Sequence, residues 1–150
     1  MLERRSIPWR FHAWRERRLL AGVAILLVGL RLALALLPYR VVRRLLDGRP
    51  SGREMSAAPA IPEPRRRRMI WAVEAVGRRV LGDSPCLPQA LALRWMLRRH
   101  GEDATLHIGV RKAQAGDLLA HAWLEQNGLV LIGGNQSPLE FKRLKTHHAS

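Results

Sequence analysis

Apolar and polar positions along this chain repeat with two different periods, and the change between them divides it. Cys86, Ala90, Leu93 and Leu97 recur at i, i+4, i+7 and i+11, the spacing of one helix face. Leu91, Ala92, Trp95 and Met96 widen that face most of the way round, which predicts a central helix covered by other elements. Asp83 or Ser84 can cap its start, Pro85 suits the first helical position, and Pro88, lacking an N–H, is tolerated only in the first turn. Gly101 supplies a left-handed stop behind Arg98 and Arg99, whose charges suit a helix C-terminus. Upstream, Met69, Val73, Val76 and Val80 predict an amphipathic helix over 65–81. Downstream the period falls to two. Ala104 to Val110, Leu118 to Glu125 and Leu129 to Ile132 read as strands, with a loop over Lys112 to Gly116 and a type I′ turn at Asn127-Gly128. Helices followed by an antiparallel sheet make an α+β pattern.

The first third obeys neither period. Leu19 to Tyr39 is apolar throughout except for Arg31, and as a helix it would reach about 31 Å, roughly a bilayer core. Three readings follow: a helix packed on the domain or on a partner protein, a membrane-surface anchor through residues 1–45, or a true span. The arginines and tryptophans of residues 1–18 suit an anionic interface, but Arg31 would be costly in a bilayer and basic flanks on both sides assign no orientation. A secretory signal is not indicated, because Pro38-Tyr39-Arg40 stand where a small-residue cleavage site would follow. Pro50, Pro59, Pro62 and Pro64, with Gly48 and Gly52, mark a linker. The expected organisation is therefore a basic and apolar helical segment over 1–47, a linker over 48–64 and a core over 65–150.

Charge and cysteine usage narrow the partners. A net charge of +14 on 150 residues calls for an anionic partner: a membrane surface, an acidic peptide or nucleic acid. No nucleic-acid-binding motif accompanies the charge, and the arginines spread along the chain. The single cysteine excludes an internal disulfide and fits a reducing, cytoplasmic compartment, with membrane association left open by the apolar run. No phosphate-binding loop and no metal-ligand spacing are present, so neither a cofactor nor a metal is expected.

A lone cysteine is most often a small buried apolar residue. Cys86 differs in its position at a helix start, where unpaired N–H groups stabilise a thiolate. Of the six histidines, His121 has the informative setting. Period-two alternation puts Leu119, His121, Trp123 and Glu125 on one face of the second strand and Ala120, Ala122 and Leu124 on the other. His12, His100, His107, His147 and His148 suit solvated or structural roles.

The run Cys86-Leu-Pro-Gln-Ala-Leu-Ala-Leu-Arg-Trp-Met-Leu-Arg-Arg-His-Gly101, then Ala-Thr-Leu-His-Ile-Gly-Val-Arg, then Ala-His-Ala-Trp-Leu-Glu, resembles the transglutaminase-like leader peptidases of lasso-peptide biosynthesis. The resemblance covers about a third of the chain and implies a papain/transglutaminase-like α+β core in which the cysteine-bearing helix packs on a small antiparallel sheet. It implies Cys86 as nucleophile and His121 as acid–base partner in removing the leader from a ribosomally made precursor. It also implies a separate leader-recognition protein and an ATP-dependent lasso cyclase as partners. Where the family has an aspartate to orient the histidine, this chain has Gly133, followed by Gly134, Asn135 and Gln136. A one-residue bulge at Gly133-Gly134 would bring Asn135 to His121, which makes Asn135 the expected third catalytic residue; a strict register would bring Gln136, Asp117 is a weaker candidate, and a dyad without an orienter is the remaining reading. An acyl transferase of the same fold and a non-enzymatic basic module for membrane or nucleic acid are the alternatives.

Overall fold

The computed structural model describes residues 13–47, 61–82, 86–112, 117–134 and 141–143. Among these residues four helices come first: α1 (Ala13–Leu36), α2 (Tyr39–Asp47), α3 (Glu63–Val80) and α4 (Cys86–Arg98). Four strands follow: β1 (Thr105–Lys112), β2 (Leu118–Gln126), β3 (Leu129–Ile132) and β4 (Lys142–Arg143). They form one antiparallel sheet in the order β3-β2-β1-β4.

The long apolar run folds as α1 and packs on α3 and α4, as the first of its three readings expects. Val23, Leu27 and Leu30, spaced i, i+4, i+7, are buried in one core with Val42, Val73, Leu91 and Leu93. Arg31 donates from Nη1 to the Leu81 carbonyl at 3.2 Å, so the one charge in the run satisfies the C-terminal end of α3. Ile25, Leu32 and Leu36 remain exposed on the outer face. By length and composition Trp14–Leu36 could cross a membrane, with a mean hydropathy of 2.5. Pro38 separates α1 from α2 and accepts the first α2 bonds, from Val41 and Val42. In space, Val23, Leu27, Leu30 and Val42 share a single core with Ile61, Met69, Leu91 and Ile132, whatever the proline-rich stretch between them divides in sequence.

In α3 the stripe Met69, Val73, Val76 is buried as the spacing predicts, but Val80 is exposed and Ala72 joins the core in its place. Val80 is the last residue of α3 and only about 20° round from Met69, so it is the helix end and not a drift of the face that leaves it uncovered. A Cβ at Gly77 would overlap the Gln89 side chain, which itself donates to the Val73 carbonyl at 3.4 Å. The missing side chain lets α3 and α4 cross closely.

Both ends of α4 matter to the site. It begins at Cys86, while the expected cap residues Asp83, Ser84 and Pro85 lie outside the described residues. It ends in a Schellman arrangement: Glu102 N–H donates to the Leu97 carbonyl, Gly101 N–H to that of Arg98, and Gly101 takes φ +79°. The stop sits where the sequence expects it. From there the chain reverses into β1, so α4 lies back across β2 and β1.

The hairpin closes on Asn127 (φ +51°) and Gly128 (φ +77°), both left-handed as a type I′ turn demands. Gln126 pairs with Leu129, Glu125 with Val130, and then Leu124 with Ile132, which leaves Leu131 as an extra residue. The bulge expected at Gly133-Gly134 thus falls two residues earlier.

Candidate active site

Strand alternation decides what each candidate residue can touch. On β2, Ala122 and Leu124 turn into the core shared with the helices, together with Leu106 of β1 and Ile132 of β3. His121 and Trp123 occupy the other face, opposite Gly109 and His107 of β1. Trp123 is fully buried and stacks with the rings of His107, at 5.4 Å, and His121, at 6.2 Å. Phe141 lies 5.2 Å from the His121 ring, and the Arg111 guanidinium lies 5.2 Å over Phe141. His107 also faces the Glu125 carboxylate at 3.5 Å, so it serves the sheet as the sequence expects.

His121 is 8% exposed. Its Nε2 lies 2.6 Å from the Gly133 carbonyl oxygen. A carbonyl oxygen can only accept, so Nε2 carries the proton and, in the neutral ring, Nδ1 carries the lone pair. Gly133 has φ +86°, and a Cβ there would stand 2.6 Å from the Ala122 carbonyl oxygen and 2.8 Å from the Trp123 Cβ. The backbone at this point therefore has no room for a carboxylate-bearing side chain. This position, where the resemblance implied an aspartate, offers the imidazole a backbone carbonyl.

Cys86 is a free cysteine, partly buried, packed against the helical core. It lies with α4 on the Ala122–Leu124 side of the sheet, whereas His121 projects from the other side, so the structure does not bring the two together; it joins His121 to Gly133, Trp123 and Phe141. Asn135 and Gln136 lie outside the described residues. Asp117 is exposed ahead of β2. It stands four residues from His121, about 13 Å along an extended strand, so it is too far to orient the ring.

Three contributors to this region were not read from the sequence. Phe141 immediately precedes β4, a two-residue strand with no alternation to detect. Gly109 is needed because a Cβ there would meet the Phe141 Cβ at 2.7 Å and the Trp123 ring at 3.0 Å. A glycine inside an alternating strand is the signal that could have found it. The Gly133 carbonyl leaves no trace in residue type at all.

Electrostatically, the opposite end of α4 is the most ordered part. Glu102 accepts from the Ile61 N–H at 2.6 Å, from Arg66 Nη2 at 2.9 Å and from Gln126 Nε2 at 3.1 Å. Burial alone would raise its pKa, but these bonds and the Arg66 charge hold it below the ordinary 4.5.

A helix that opens on a thiol and lies across an antiparallel sheet bearing an oriented imidazole defines an α+β domain of transglutaminase-like architecture. The comparison with protein families agrees: the model described as "Transglutaminase-like superfamily" matches residues 24–146, and the chain belongs to that superfamily. The match begins within α1, so that helix is part of the family's domain. Membership suggests cysteine peptidase or acyltransferase chemistry. No curated protein and no solved structure matches the chain.

Proposed function

We propose that the protein is a cysteine peptidase that cleaves the leader from a ribosomally synthesised lasso-peptide precursor, with Cys86 as nucleophile and His121 as acid–base partner. The observation that supports it most directly is the 2.6 Å contact between His121 Nε2 and the Gly133 carbonyl. It sets the tautomer whose free lone pair, on Nδ1, can accept a thiol proton. The ordered motifs from Cys86 through Ala-His-Ala-Trp-Leu-Glu support the narrower substrate.

The chemistry balances with the residues present. The Cys86 S–H proton passes to His121 Nδ1 and the thiolate adds to the scissile carbonyl carbon. The backbone N–H of Cys86, first in α4 and without an intrahelical acceptor, can donate to the oxyanion. The C–N bond then breaks as the imidazolium returns its proton to the leaving amine. Water gives a proton to Nδ1 and attacks the thioester, releasing the acid and the thiol. In the structure α4 covers the Ala122–Leu124 face of β2 and His121 projects from the other, so this transfer requires the imidazole and the thiol to be brought together when substrate binds. Gly133 would hold the ring through both halves of the cycle, as an amide or carboxylate does in related triads.

A separate leader-recognition protein would deliver the precursor and an ATP-dependent cyclase would take the core peptide. The exposed face of α1 and the basic residues near it suit contact with a membrane surface in a cytoplasmic protein. The test is mass spectrometry of precursor plus leader-recognition protein, incubated with wild type, Cys86→Ser and His121→Ala. A leader with a free carboxylate, formed by wild type only, is expected. An amine-linked product without free leader acid would reassign the protein to acyl transfer, and activity retained in Cys86→Ser would end the thiol mechanism.

A further inference from the structure

Helices α1, α3 and α4 leave a cleft of about 340 Å³ at the end of α4 far from Cys86. Its walls carry Arg15 of α1, Arg65 and Arg68 of α3, and Arg99 and His100 after α4, above Trp95. Glu16 is the sole acid among its described lining residues. The neighbours of Arg65 and Arg68 in the same run are matched: Arg66 with Glu102 at 2.9 Å, and Arg67 with Glu63 at 2.9 Å. Arg65 and Arg68 form no ion pair among the described residues. Arg65 instead brings Nη2 to 3.5 Å from His100 Nε2, and Arg99 lies 4.7 Å over the Trp95 ring. The cleft thus concentrates cations for which no ion pair is formed by the described residues.

The floor is apolar and continues. Trp95 and Met96 pass into a trough of about 420 Å³ along α1, walled by Leu19, Val23 and Leu26. Burial, then Arg65 and Arg99, lower the pKa of His100 from 6.5 against an opposing pull from Glu102, as expected where the local field is positive.

We propose that this cleft binds an acidic–apolar peptide segment, its carboxylates on Arg65, Arg68 and Arg99 and an apolar side chain in the Trp95–Met96 trough. Guanidinium forks match carboxylates bidentately, and an aromatic floor beside them is a peptide-like combination. A flat bilayer would meet the projecting Ile25, Leu32 and Leu36 before it reached a recess between three helices. The cleft and Cys86 lie at opposite ends of α4, about 20 Å apart along its axis. If the peptidase reading holds, on which this last step rests, the acidic segment and the cut in one substrate are separated by at least about six extended residues.

The test uses full-length Cys86→Ser protein and a fluorescein-labelled Glu-Glu-Leu-Leu-Glu-Glu peptide, read by fluorescence anisotropy. Saturable binding is expected, weakened at least tenfold by Arg65→Ala with Arg68→Ala and about threefold by Arg99→Ala. The exposed pair Arg78→Ala with Arg79→Ala, at the other end of α3, should leave it unchanged. Equal weakening by both pairs would reduce the effect to net charge and overturn the site. Displacement of the peptide by phosphatidylglycerol vesicles, but not by phosphatidylcholine vesicles, would give the cleft to a lipid headgroup and overturn the peptide. Circular dichroism confirms that the exposed-arginine variants fold. Peptide binding without precursor cleavage by wild type would sink the peptidase reading and leave the cleft standing.

Discussion

The two faces of β2 are built from different materials. Toward the helices it presents Ala122 and Leu124, which meet Leu106 and Ile132 in an aliphatic core. Away from them it presents His121 and Trp123, set among His107 and Phe141 and given room by Gly109 and Gly133. The first face asks only for apolar volume, and cores tolerate exchange among aliphatic residues of similar size. The second aims one imidazole nitrogen at one carbonyl, so its glycines and rings are fixed by geometry. Stability is spread over both faces, and so are the candidate groups: Cys86 packs with the helices on the first and His121 stands on the second.

The largest effects should come from removing one large side chain from each face. Trp123→Ala is expected to cost about 3 to 5 kcal/mol and Leu124→Ala about 2 to 5 kcal/mol in denaturant unfolding. What separates them is activity per folded molecule. Trp123→Ala takes away the ring against which His121 stacks and should lower precursor cleavage further, whereas Leu124→Ala should leave it nearly intact. Equal losses of activity would erase the distinction between the faces.

Next in size is Gly133→Ala. A left-handed φ and a Cβ 2.6 Å from the Ala122 oxygen should cost about 1 to 3 kcal/mol. The shift would also turn the carbonyl that His121 donates to. Imidazole 15N shifts check this: wild type should show the Nε2–H tautomer and Gly133→Ala a mixture. An Nδ1–H tautomer in wild type would contradict the 2.6 Å geometry and remove the case for Nδ1 as base.

Much of this was legible because local rules carry it. Cys86 opens α4 and Gly101 closes it, since proline, glycine and apolar spacing mark helix ends without reference to anything distant. Asn127-Gly128 set the hairpin and alternation divided β2 correctly into its two faces. What could not be read depends on partners far along the chain. Arg31 looked like a charge stranded in an apolar run until Leu81 supplied an acceptor fifty residues away. The bulge fell at Leu131, where two aliphatic neighbours give no sign of it, rather than at the paired glycines. Among the described residues the group that meets His121 is the Gly133 carbonyl, a backbone atom that residue type does not announce, while Asn135 and Gln136 lie outside them.

Glu102 offers a comparison within the polar parts. It ties Ile61, Arg66 and Gln126 together, so Glu102→Gln should cost about 1.5 to 3 kcal/mol while leaving the His121 region untouched. Its pKa is depressed on folding, so its contribution is present above about pH 4.5 and is lost as pH falls through the folded value. Acid unfolding of Glu102→Gln should therefore be flatter than wild type below pH 4.5. A loss of precursor cleavage matching that of Trp123→Ala would mean that the two regions are coupled.

The smallest effect separates two imidazoles held in opposite ways. His121 gives its Nε2 proton to a carbonyl, while His100 sits 3.5 Å from Arg65 in a cationic cleft. Burial, Arg65 and Arg99 outweigh Glu102 and lower the His100 pKa, so between 6.5 and the folded value the unfolded chain binds more protons than the native one. Stability must then rise with pH across that window, and the full contribution is reached above 6.5. His100→Gln should flatten that slope, and so should Arg65→Ala with Arg99→Ala, which relieves the repulsion without touching the ring. None of these changes should alter the His121 tautomer. A wild-type stability that instead falls as pH rises through 6.5 would show His100 favoured as a cation, and the cleft would then be far less positive than its arginines indicate.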